Sequence, residues 1–74
     1  MKIQFTKYQI SGTAGKQTVL EQGTAEIPKN GHGTRYNLRQ IFPGFDISRQ
    51  TAGTEIFRMH NADWTIGIAV ASIH

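Results

Sequence analysis

WTIGIAVASI, Trp64 to Ile73, alternates bulky with small residues along most of its length. In an extended chain successive side chains point to opposite faces, which puts Trp64, Ile66, Ile68 and Val70 on one face and Thr65, Gly67, Ala69 and Ala71 on the other. The bulky face belongs to a core. The small face implies close approach by a second sheet, a helix or another copy of the chain, so this strand is expected to be central in a sheet or buried in an interface. Upstream, the run Thr54 to His60 and the short turn Asn61-Ala62-Asp63 complete a hairpin with it.

Turn signals punctuate the rest of the chain: Ser11 to Gly15, Lys29 to Gly33, Pro43-Gly44 and Ala52-Gly53. Short β-branched and aromatic runs lie between them. Lys2 to Ile10 is the first strand. Its pattern changes phase between Ile3/Phe5 and Tyr8/Ile10, so a bulge near Thr6 or Lys7 is expected. Gln17 to Ile27 is the second, with Gly23 inside it as in an exposed or bent strand. Asn30-Gly31 is a strong hairpin signal and should reverse the chain after strand two. Residues 34–48 read in two ways. Leu38, Ile41, Phe42 and Phe45 form a helical stripe with Asn37 as N-cap, Gln40 three residues on and Pro43-Gly44 as the stop, while Thr34 to Phe42 could instead be a strand. The short helix is the expectation. The fold class is mainly β: a small antiparallel sheet or partly open barrel of about four to five strands, with at most one short helix near residues 37–42.

The 74 residues are expected to form a single domain, 1–74, near the lower size limit for a self-sufficient core. With no cysteine there is neither a disulfide nor a thiolate metal site. MKIQFTKYQI is not of signal-peptide type and no apolar run could span a bilayer, so a cytoplasmic protein without a membrane partner is expected. The net charge is +3. Lys2, Lys7 and Lys16 precede the acidic Glu21 and Glu26, and Lys29, Arg35, Arg39 and Arg49 follow with Asp46 as the sole acid among them.

SGTAGKQT, Ser11 to Thr18, has the look of a phosphate-binding loop and fails the test. Such a loop needs glycine where Ile10 stands and a magnesium-binding hydroxyl where Gln17 stands, and it must open a helix rather than a strand. It reads as a glycine-rich reversal, with Lys16 an exposed cation on it. His32, His60 and His74 have no ligand spacing; His60 and Asp63 could exchange a hydrogen bond across their turn. The acids Glu21, Glu26, Asp46, Glu55 and Asp63 form no pair suited to acid–base work. No enzyme activity, cofactor or metal is expected.

What remains is binding. Basic and aromatic residues interleave, and Lys7, Tyr8, Lys16, Arg35, Tyr36, Arg39 and Arg58 could offer cations for phosphates and rings, Tyr8 and Tyr36, for base stacking. The first expectation is therefore a small non-enzymatic module that contacts nucleic acid. The alternative is a protein-binding inhibitor or adaptor, acting through a strand edge or an apolar patch. The small-residue face of Thr65, Gly67, Ala69 and Ala71 fits such an interface or a homodimer. Size and style would suit a phage or mobile-element product, for example one that blocks a host or defence complex.

Overall fold

The computed structural model describes residues 1–11, 17–48 and 55–73. They form β1 (Lys2–Ile10), β2 (Gln17–Glu26), helix α1 (Thr34–Ile41), β3 (Phe45–Ser48), β4 (Glu55–Asn61) and β5 (Ile66–Ser72). The strands make one open sheet in the order β2-β1-β5-β4-β3, with every neighbouring pair antiparallel. The fold is mainly β, as the turn spacing predicts, and β5 is its central strand. Among the described residues no helix is long and apolar enough to cross a membrane.

Directly paired residues point to the same face, so the registers sort the side chains. Ile3, Phe5, Ile68, Val70, Phe57 and Met59 lie on the face that meets α1. Ile3, Leu38, Ile68 and Val70 are fully buried there, and Phe5 meets Phe42 edge-on at 5.1 Å. Each fully buried aliphatic side chain of this kind contributes about 1.5–3 kcal/mol relative to exposure. The second face carries Tyr8, Gly67, Ala69, Arg58, His60 and Asp46. No second sheet or helix of the described residues covers it.

The change of phase in β1 proves to be real rather than corrected. The β1–β5 ladder runs without a shift, and the irregularity lies in the β1–β2 ladder between Lys7 and Tyr8. Lys7 faces Glu21 and Tyr8 faces Val19, so the extra residue is Leu20, on β2 and not on β1. Tyr8 therefore goes to the open face, where its ring lies over Gly67: a methyl added to Gly67 would stand 2.6 Å from Tyr8 Cζ. On the helix face Phe5 covers its partner Gly23 in the same way, with Cζ 2.9 Å from an added methyl.

After β2 the expected short helix is present, but the Asn30-Gly31 hairpin is not. Gly31 does adopt positive φ, at 83°, but the chain enters a helix instead of reversing into a strand. The Asn30 side chain decides this. Its Oδ1 accepts from the His32 N–H at 3.0 Å and its Nδ2 donates to Asn37 Oδ1 at 2.9 Å, which makes a helix entry out of a turn. Asn37 is not the N-cap. Gly33 is, and the helix begins at Thr34, not near residue 37. Buried inside α1, Asn37 donates back to the carbonyls of Gly33 and His32 at 3.2 and 3.4 Å. The stop is as expected: Phe42 caps the helix, Pro43 follows, and Gly44 turns with φ 87°. Phe45 leaves the stripe and opens β3.

Replacing Gly67 by alanine should destabilise the fold by about 1–3 kcal/mol, because the methyl collides with the Tyr8 ring. Urea denaturation measures this, and the same change made in a Tyr8→Ala background should cost less than it does alone.

Candidate functional site

From Ile27 to Phe45 the chain has three cations, Lys29, Arg35 and Arg39, and no acid. All three side chains are exposed. Leu38, Ile41 and Phe42 turn the apolar stripe of α1 toward the sheet, which leaves Arg35, Tyr36, Arg39 and Gln40 outward. Arg35 and Arg39, at i and i+4, are neighbours on the helix surface. The Arg35 guanidinium sits 5.7 Å from the centre of the Phe57 ring, and Tyr36, 48% exposed, stacks on His32 at 4.2 Å. Arg39 lies in the last turn, where a cation suits the helix dipole; Arg35 lies in the first turn, where it opposes it, and no acid or side-chain cap offsets this. The charge at the start of this helix is therefore not placed for the helix's own stability.

Of the other described cations, Lys2 is exposed on β1, while Lys7 and Arg58 are committed elsewhere. Lys7 points to the helix face, 3.6 Å from Glu21 and 5.8 Å from the centre of the Phe45 ring. Arg58 lies on the open face and donates to both carboxylate oxygens of Glu55, from Nε at 2.8 Å and from Nη2 at 3.1 Å. This pair holds the guanidinium pKa above its ordinary value against the opposing effect of burial, and Tyr8 adds to the rise. Tyr8 is buried, only 7% exposed. Lys16 lies outside the described residues. The sequence-derived set thus divides: Arg35, Tyr36 and Arg39 are brought together, while Lys7 and the Tyr8–Arg58 couple fall on opposite faces of the sheet.

The small-residue set divides as well. Gly67 is buried beneath the Tyr8 ring, and Ala69 and Ala71 are half-buried on the open face. Thr65 precedes the strand, in the β4–β5 turn. Its N–H donates to Asn61 Oδ1 and its Oγ1 accepts from Asn61 Nδ2, each at 2.8 Å.

That turn holds what the alternation in the sequence misplaces. Trp64 does not join Ile68 and Val70 in the core, and Ile66 is only half-buried; Trp64 is 57% exposed. Its φ of 56° is left-handed, rare for a large side chain and costing about 1–3 kcal/mol. The Asn61 amide fixes the turn, taking the N–H groups of Thr65 and Ile66 on Oδ1, and the Asn61 carbonyl accepts from Trp64. The indole then lies on the His60 imidazole with ring centres 3.5 Å apart and planes 14° from parallel. His60 Nδ1 is 3.0 Å from the Asn61 carbonyl rather than turned to Asp63; a carbonyl only accepts, so this is a hydrogen bond in the tautomer with the proton on Nδ1. The signal for this was the Asn61 to Thr65 spacing, a polar pair that can close a loop through its side chains, and not the strand period.

Among the described residues no three His, Asp or Glu side chains gather where an ion could sit. Compared with known protein families, with curated proteins and with solved structures, the chain has no significant match.

Asn61→Ala should cost about 1–3 kcal/mol through the orphaned N–H groups of the turn. It should also move the emission of Trp64 to longer wavelength as the ring leaves His60, which fluorescence of the folded protein reads directly.

Proposed function

We propose that this protein is a non-enzymatic nucleic-acid-binding module whose phosphate contacts come from α1 and the segment leading into it. The observation that carries the reading is the acid-free stretch with Lys29, Arg35 and Arg39 exposed beside the exposed Tyr36. Cations spaced along one helix meet successive phosphates, and the counterions they displace make affinity fall as salt rises. Paired cations add little to such a field, which removes Lys7 and Arg58 from the central role and leaves them at its margin.

Arg35→Gln combined with Arg39→Gln should weaken binding to an oligonucleotide and reduce the slope of log affinity against log salt by about 1.4–1.8, from two lost phosphate contacts. Titration over a series of salt concentrations measures it. Binding indifferent to salt, or unchanged in the double variant, would remove the proposal.

A second reading rests on the edge of the sheet. β2 has no strand on its outer side, and Val19 and Leu20 on it are 55% and 50% exposed. Such an edge can accept a strand from a partner protein, as an inhibitor or adaptor would require. Leu20→Lys should then abolish the complex with the fold intact, whereas Ala69→Lys, on the open face, should leave it in place; analytical size exclusion of the protein with captured partner distinguishes the two.

A further inference from the structure

The geometry points to the outer face of Trp64 as a stacking site for a nucleobase, so that the preferred nucleic acid is single-stranded. This rests on the reading of α1 as the phosphate-binding element and adds to it a second contact at the end of the sheet where α1 terminates, on the face opposite the helix. The placement follows from the register: α1 ends at Ile41, Pro43-Gly44 leads into β3, and Phe45 of β3 pairs with Asn61, the residue that holds the Trp64 turn.

Three features define the site. Trp64 is the only tryptophan, and it stays more than half exposed although burial of an indole is strongly favourable. It is held there at positive φ, a conformation that glycine would adopt without strain. One face of the indole is already occupied by a nearly parallel ring, His60, so a flat ring on the other face completes a three-layer stack instead of building one from the beginning. A base inside a duplex has both faces covered by its neighbours and cannot enter; an unpaired base can. Asp46 is the cross-strand neighbour of His60 and Asp63 precedes Trp64 in the turn, so positive charge is not in surplus here. Affinity at this point comes from ring overlap, and the phosphates are left to Arg35 and Arg39.

The test uses the full chain with a mixed-sequence single-stranded oligonucleotide, and with the same sequence annealed as a duplex. Fluorescence excited at wavelengths beyond tyrosine absorption reports Trp64 alone. The single strand should quench it. Trp64→Ala should weaken single-strand binding by about 5- to 150-fold, the effect of losing one stacked base, with the salt slope and the duplex affinity unchanged. Trp64→Gly, which suits the positive φ of the turn, should keep the fold by circular dichroism and show the same loss. If both Trp64 variants bind the single strand as the parent does, while the Arg35→Gln/Arg39→Gln protein is weakened, the stacking site is wrong and the nucleic-acid reading stands. If neither oligonucleotide binds the parent, both fall. An arginine-rich peptide that quenches Trp64 where the oligonucleotides do not would also overturn the inference and assign the ring to a cation.

Discussion

The two faces of this sheet depend on the contact between an aromatic ring and a glycine on the neighbouring strand. Phe5 lies over Gly23 on the helix side and Tyr8 lies over Gly67 on the open side. Both rings belong to β1, so one strand fills the core and seals the opposite surface. A glycine within a strand costs conformational entropy and packs nothing of its own; a ring laid over it recovers buried area and pins the register. This is why so short a chain holds an open sheet whose far face no second layer of the described residues covers. Tyr8 stands in for part of that layer, with Arg58 and Glu55 beside it.

Charge placement follows from the same register. In a regular strand residues three apart point to opposite faces, yet Glu55 and Arg58 share one. The shift between Glu55 and Phe57 inserts Ile56, which turns to the core, and so brings carboxylate and guanidinium together. The extra Leu20 on β2 likewise sends Val19 to the open face and Glu21 to the helix side, where it meets Lys7. Exposed pairs of this sort add little to stability. Their effect is to leave α1 with the unneutralised cations among the described side chains that face outward together.

Much of the fold was legible in the residues. β1 and the span of β2 follow from composition and turn signals, and the core face of β5 from its alternation. The phase change in β1 was visible, but its meaning was not, because it depends on Gly67, a partner distant in sequence. The start of α1 was hidden for a related reason: Asn30 and Asn37 pair their amides across seven residues, a bond that local capping rules do not contain. Trp64 was misplaced since period alone carries it into the strand, whereas Asn61 closes a turn before the strand begins. As for the binding residues, Arg35, Tyr36 and Arg39 could be grouped from helical spacing. The separation of Lys7 from Tyr8 and Arg58 could not, because a bulge expected at Thr6 or Lys7 left the faces of β1 open and the face of Arg58 depends on its register with Ala69.

The pairing of β1 with β5 joins the beginning of the described chain to its end at the middle of the sheet. Contacts so remote along the sequence must close a large loop before they return any energy, which slows folding. While the polypeptide is being synthesised, β1 and β2 can come together early, but the side of β1 that will receive β5 stays bare until β5 has emerged from the ribosome. During that interval Phe5 lacks its partner Val70 and Ile3 lacks the rest of its cluster, so the side of β1 that faces β5 stays open to misassembly until that strand is made.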